Sequence, residues 1–283
     1  MSILEAIVLG VIEGVTEFLP ISSTGHLTIA EDLMGFNIDD ADITAFTAII
    51  QIGAIAAVVV YFRGELWGLV AALVRGILDS EERDTRDFRF GLAIAVGSIP
   101  IAIAGLALRD VIEGPLRSLW VVGAALIVWS FVMYAADRAY AARPESERRG
   151  EQQFGMRDAL VMGTVQCVAL IPGVSRSGAT IAAGLFRGLD RVTVTRMSFF
   201  LAVPALTAAG IFQALTESDE ISNGVGWGPT LVAVAVSFVV AYASIAWLLR
   251  YVAGHNFDLF VVYRIALGLL VLGLVATGVT AAT

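Results

Sequence analysis

The stretch EGVTEFLPISSTGH, Glu13–His26, decides how this chain folds. It sets two carboxylates, the hydroxyls of Ser22, Ser23 and Thr24, and one of only two histidines inside an apolar N-terminal region. Pro20 ends one short helix, and SSTG supplies the capping oxygens that start another. A second stretch of the same make, IPGVSRSGAT at 171–180, interrupts a later apolar run. Each half-helix is about 12–16 residues long and, at 1.5 Å per residue, falls short of the roughly 30 Å of hydrocarbon in a bilayer. The interrupted segments 3–35 and 157–188 are therefore expected to be re-entrant hairpins, each entering and leaving by one face with its polar bend near mid-membrane.

The rest of the chain agrees with a membrane setting. Of 283 residues 58% are hydrophobic, and the mean hydropathy is +0.82, more than a water-facing exterior allows. The apolar runs are long and do not alternate, so they read as helices and not barrel strands. Six full crossings are expected, at 42–62, 90–108, 118–137, 197–215, 229–250 and 257–281, while 64–79, bracketed by Arg63, Glu65 and Arg75, is expected to lie at the interface. The fold class is thus all-α and polytopic: six transmembrane helices plus two opposed re-entrant hairpins. From Glu5 and the lack of a basic leader, the first segment is expected to be mature protein and not a cleaved signal. The lone Cys167 excludes an internal disulfide and a cysteine metal cluster, and reads as a small buried filler. A net charge of −8 with arginine as the only basic residue argues against nucleic acid as a partner.

Arginine placement orients the chain. With the N-terminus outside, Arg63, Arg75, Arg83, Arg86 and Arg89 fall inside, as do Arg138, Arg143, Arg148, Arg149 and Arg157, then Arg187, Arg191 and Arg196, and then Arg250. Only Arg109 and Arg117 fall outside, and the arginine-free connection TESDEISNGVGWG is outside too. Both termini are expected outside.

Sliding the sequence on itself by 153 positions aligns the two bends without a gap. Residues 6–35 and 159–188 share eight identities, among them Ala6/Ala159, Gly10/Gly163, Ser22/Ser175, Gly25/Gly178 and Gly35/Gly188, and Phe46/Phe199 keeps the same offset. Three crossings separate the copies, so the second hairpin enters from the opposite face. One transmembrane domain is expected, built of two inverted repeats over about 1–140 and 154–283, with both bends meeting at the midplane. Broken helices there aim their positive ends and unpaired N–H groups at whatever lies between, and an anion, phosphate above all, suits them.

Glu13 and Glu17 share a helix face amid Val11, Ile12, Val15, Phe18 and Leu19, so both are expected to be buried and to need a proton, a cation or a partner. Ser22, Ser23 and Thr24 exceed what one helix cap requires, and His26 lies three residues from Ser23, close enough to serve as its base. Arg176, expected at mid-membrane and unable to lose its proton, needs a permanent anion, and its fork fits a phosphate. Ser175, Ser177 and Thr180 add donors in that bend, as Ser22, Thr24 and Gly25 do in the first, while Gly173 and Gly178 allow close backbone approach. At the repeat offset Gln166, Leu170 and Ala179 stand opposite Glu13, Glu17 and His26, so one copy reads as reactive and the other as a phosphate clamp. Asp39, Asp40 and Asp42 read as a solvated rim, His255 as part of a short inside turn, Phe199 and Phe200 as packing, and Arg264 as snorkelling to the inside face. Ser23 is the preferred nucleophile, with His26 activating it; direct attack by His26 or by water stays open.

The two bends closely resemble the motifs of the undecaprenyl-diphosphate phosphatase family, the bacitracin-resistance type of membrane phosphatase. EGVTEFLPISSTGH carries its ExxxE element and SSTGH tail, PGVSRSGAT carries its PGxSRSxxT element, and GLDR and SFFLAVP extend the likeness over essentially the whole chain. The resemblance implies hydrolysis of a polyprenyl diphosphate to the monophosphate and inorganic phosphate at the outer side of the cell membrane, recycling a lipid carrier for envelope glycan synthesis. It implies a functional set of Glu13, Glu17, Ser23, His26 and Arg176, assisted by a divalent cation, magnesium or calcium, with Glu13 and Glu17 as its ligands. The partners expected are the lipid substrate and membrane lipids, with a homodimer left open. A carrier or flippase for a phosphate-bearing lipid is the competing reading, and it leaves Ser23 and His26 without a task.

Overall fold

The computed structural model describes residues 1–38, 40–108, 111, 112, 116 and 118–278. Its helices are α1 (Ile3–Thr16), α2 (Ser23–Leu33), α3 (Ala41–Tyr61), α4 (Arg63–Leu78), α5 (Arg86–Gly97), α6 (Ile99–Ala107), α7 (Leu119–Ala141), α8 (Met156–Gln166), α9 (Arg176–Phe186), α10 (Arg191–Thr216), α11 (Ser218–Asn223), α12 (Trp227–Val252) and α13 (Asp258–Ala276). Among the described residues six stretches are long and apolar enough to cross a membrane: α3, α5 with α6, α7, α10, α12 and α13. They coincide with the six expected crossings to within a few residues, because a continuous apolar run of that length has few other ways to satisfy its backbone in lipid. The second crossing bends between α5 and α6, where Pro100 removes one helical N–H. Ser98 bridges the bend, its hydroxyl donating to the carbonyls of Ile94 and Leu201. Helix α4 has 16 residues, buries Ala72 and Gly76, and leaves Trp67, Val70, Val74, Ile77 and Leu78 exposed, which fits the expected surface segment. Arg109, Arg117, Asp39 and the last five positions, into which the sixth expected crossing ran, lie outside the described residues.

Both interrupted segments fold as helix, bend, helix. In the first, α1 is capped by Ser2, whose hydroxyl accepts from the Glu5 N–H while Glu5 accepts from the Ser2 N–H. The chain then breaks through Pro20, and α2 starts at Ser23. In the second, α8 passes into a tight turn at Cys167–Leu170 before α9 starts at Arg176. Ser22 (φ 77°) and Ser175 (φ 76°) cap α2 and α9 and are the only non-glycine residues with positive φ among those described. Each accepts, through its side chain, the N–H of the glycine three residues on, Gly25 or Gly178. A side chain in this backbone region costs of order 1–3 kcal/mol, and such strain persists where the surroundings enforce it, commonly at functional sites.

The hairpins are held by backbone approach. Helix α1 lies along α12, with Gly10 and Gly14 one turn apart against Ala233, Ser237 and Ala241. Helix α8 lies against α5 in the corresponding way. A Cβ added at Gly163 would sit 1.8 Å from the Gly97 carbonyl oxygen. Gly163→Ala is therefore expected to lower stability by about 1–3 kcal/mol, whereas Gly64→Ala, with open space around it, is expected to change it by no more than about 0.5 kcal/mol. Thermal unfolding in detergent checks both. Phe199 and Phe200 pack as expected, Phe199 edge-on to Phe18 at 5.1 Å and Phe200 edge-on to Phe62 at 5.0 Å.

The arginine-bearing connections are tied to one another. Arg196 pairs with Glu65 and, at 2.9 Å, with Glu151; Arg149 and Arg187 share Asp158 at 2.7 and 2.8 Å. Arg191 reaches Asp137 at 2.7 Å and Arg138 reaches Asp258 at 2.6 Å. The connections around 65, 150, 190 and 258 thus meet at one end of the bundle. His255 is exposed in the turn between α12 and α13 and stacks on Tyr251. Cys167 is half-buried, and its thiol donates to the Gly163 carbonyl.

Candidate active site

The two bends meet. Arg176 Nη2, at the start of α9, donates to Glu17 Oε1 at 2.9 Å and to the Glu17 carbonyl at 3.3 Å, while Nη1 donates to the Ser198 carbonyl. The guanidinium also sits 5.7 Å from the centre of the Phe18 ring. Ser177 Oγ donates to the Leu19 carbonyl at 3.0 Å, a second link between the tips. The other oxygen of Glu17, Oε2, accepts from Ser23 Oγ at 2.6 Å. One carboxylate therefore carries both the arginine of the second bend and the serine of the first, and all but a few per cent of it is buried.

These groups open on a cavity of about 540 Å³ lined by Glu17, Ser22, Ser23, Thr24, Ser175 and Arg176. Ile101, Ala102 and Leu106 of α6 and Leu206, Ala209 and Phe212 of α10 line it too. A charged corner thus borders an apolar chamber, with the first turns of α2 and α9, whose leading N–H groups have no helical partner, starting at its wall.

Several expected site residues stand elsewhere. His26 is not the partner of Ser23. Its Nδ1 lies 2.7 Å from the Ser22 carbonyl, which can only accept, so Nδ1 carries the proton and Nε2 takes the hydroxyl of Tyr263 at 2.7 Å. The i to i+4 geometry of α2 turns the ring back over Ser22, and the loop 17–22 folds Glu17 onto Ser23 in its place. Ser177 and Thr180 are fully buried and do not line the cavity: Ser177 holds Leu19, and Thr180 donates to Ser198 Oγ at 2.7 Å and back along its own helix. Gly25 also stands behind the wall, its N–H taken by Ser22 and its Cα facing Val122. Glu13 is buried one turn behind Glu17, and its Oε1 has no partner.

Sequence reasoning missed two groups. Glu31 on α2 is buried, with Oε1 accepting from the Thr47 hydroxyl at 2.6 Å. Glu13, Glu17 and Glu31 are thus three buried carboxylates, and Arg176 pairs with Glu17. Arg264, expected to snorkel, is instead fully buried. It donates to the carbonyls of Pro20 (3.2 Å), Gly173 (2.9 Å) and Val174 (3.0 Å) and to Ser130 Oγ (3.0 Å), binding the two tips from behind. Its signal was a charge several residues inside an apolar run, with facing carbonyls supplying the acceptors that a water-filled exit otherwise would. Arg264→Met strands those oxygens and is expected to cost roughly 3 kcal/mol or more, while the exposed Arg250→Met changes little; thermal unfolding in detergent compares them.

A family model described as bacitracin resistance protein BacA matches residues 6–270. The chain is 57% identical over 283 residues, all of both chains, to undecaprenyl-diphosphatase 3 of Frankia casuarinae. It is 52% identical to undecaprenyl-diphosphatase 1 of Streptomyces coelicolor, over 99% of this chain and 98% of that one. It is 49% identical to the undecaprenyl-diphosphatase of Cutibacterium acnes, with both chains covered in full. Likeness of this extent over the segments that build both bends means that the chain belongs to the bacitracin resistance protein BacA family.

Proposed function

We infer that this multi-pass membrane protein is an undecaprenyl-diphosphatase: it hydrolyses a polyprenyl diphosphate to polyprenyl phosphate and inorganic phosphate, recycling a lipid carrier for envelope glycan synthesis. The observation that carries this is the Ser23–Glu17–Arg176 chain at the mouth of an apolar chamber. The names of the relatives agree with it. A carrier needs the arginine and the helix ends, but not a serine hydroxyl set on a buried carboxylate.

In this reading Arg176 and the first turns of α2 and α9 hold the diphosphate, and the prenyl chain runs along α6 and α10. Ser23 Oγ attacks the terminal phosphorus as its proton passes to Glu17 Oε2. The bond from that phosphorus to the bridging oxygen breaks, and polyprenyl phosphate leaves with the electron pair. Water then adds to the phosphorus on Ser23, Glu17 returns the proton to the departing Ser23 Oγ, and inorganic phosphate leaves with the water's oxygen. His26 acts through Ser22, holding the strained cap that aims Ser23.

A divalent cation fits this donor set as a group shared with the substrate. Among the described residues no three His, Cys, Asp or Glu side chains could hold an ion by themselves, but the unpartnered Oε1 of Glu13, beside Glu17, offers a carboxylate of the kind that magnesium takes together with substrate phosphates. Bound there, the cation would neutralise charge on the diphosphate.

The two halves, 1–140 and 154–283, are read as inverted repeats in one domain, on the strength of the paired strained caps at Ser22 and Ser175. The ion-paired end of the bundle is read as cytoplasmic. The chamber reaches Phe212 and Gln213 near the far end of α10, so it is read as opening outward, with both termini outside. Phosphate release from a long-chain polyprenyl diphosphate by purified protein, with and without chelator, tests the reaction. Release that chelator suppresses is expected. Tight lipid binding without release would transfer the case to the carrier.

A further inference from the structure

We propose that Gln166 is a substrate-binding residue whose side-chain amide donates to a phosphoryl oxygen of the bound diphosphate. Gln166 is the last residue of α8, has no exposed surface and lines the cavity. Neither its Nε2 nor its Oε1 has a hydrogen-bond partner. A buried amide left unpaired on both atoms is costly, and it is retained where a ligand completes it. The side chains of the lining residues nearest it in sequence, Ala169 and Leu170, carry no donor or acceptor. Arg176 and Ser23, which the proposed reaction sets against the diphosphate, line the same cavity, as do Ser175, Gln51 and Gln213.

The repeat offset gives the choice of residue a reason. Gln166 occupies in the second hairpin the place of Glu13 in the first, and Glu13 is likewise buried with an unpartnered oxygen. Each hairpin thus presents one unsatisfied side chain from the end of its first helix. A carboxylate there suits a cation. A neutral amide suits a phosphoryl oxygen, which a second carboxylate would repel. At this position the two copies differ by one functional group, and the difference divides the diphosphate and its counter-ion between them.

This rests on the diphosphatase reading, so binding and turnover are measured separately, for wild type, Gln166→Leu and Gln166→Glu. The probe for binding is inorganic diphosphate, read by the shift of the thermal midpoint on titration. Gln166→Leu is expected to leave the unliganded midpoint unchanged or raised, because it removes an unpaired polar group. It is expected to weaken inorganic diphosphate about tenfold and to raise KM for the lipid diphosphate about as much, with kcat little changed. Gln166→Glu is expected to weaken both further. A lowered unliganded midpoint in Gln166→Leu, or wild-type affinity for inorganic diphosphate, overturns the assignment. If wild type binds inorganic diphosphate through Gln166 but releases no phosphate from the lipid, the hydrolytic reading falls and the binding site stands.

Discussion

Arg176→Ala is expected to lower the rate of phosphate release about a thousandfold, and Arg176→Lys to restore little of it. The guanidinium spends Nη1 and Nη2 on Ser198 and Glu17, and its buried Nε has no acceptor, so not all of its five N–H donors are used. A lysine ammonium is a point charge and cannot serve Glu17, the Ser198 carbonyl and a phosphate in one plane. Alanine also leaves the Glu17 carboxylate buried without its cation, which is expected to cost about 3–5 kcal/mol of stability. Lysine keeps the charge and is expected to lose much less stability than that. Turnover measured beside thermal unfolding separates the two effects: the lysine variant should be folded and nearly inactive. A lysine variant with wild-type turnover would remove Arg176 from the chemistry.

Ser23→Ala and Glu17→Gln are each expected to reduce kcat by about three orders of magnitude, and the double variant to be no slower than either single one. The reason is the 2.6 Å hydrogen bond that makes them one unit: without the hydroxyl the carboxylate has no proton to take, and without the carboxylate the hydroxyl stays protonated. Glu17→Gln keeps the shape and an acceptor for Arg176, so its loss reads the charge and not the packing. Losses that multiply in the double variant would show that the two residues act separately, and full activity in Ser23→Ala would leave water as the attacking group.

Much of this was legible in the residues because the physics is local. Two prolines beside hydroxyl runs can only break a helix and cap the next, and the starts of α2 and α9 fall where that reasoning sets them. Six apolar runs of crossing length left no competing fold. The pairing of Ser23 with Glu17 was not legible, since it depends on how the non-helical link 17–22 turns back, and helix periodicity favoured His26. Nor was the strain at Ser22 and Ser175, because serine gives no hint of positive φ. Arg264 was visible as a charge in an apolar run, but its acceptors come from carbonyls at 20, 173 and 174, far away in the chain. Gln166 gains meaning only beside Glu13, at the repeat offset.

A structure of the Ser23→Ala protein with a polyprenyl diphosphate tests the joint pocket of the two hairpins most directly. The terminal phosphate should lie between Arg176 and residue 23, within hydrogen-bond reach of the first turns of both α2 and α9, with the prenyl chain along α6 and α10. A headgroup bound by one hairpin alone, or at another surface of the bundle, would contradict the account.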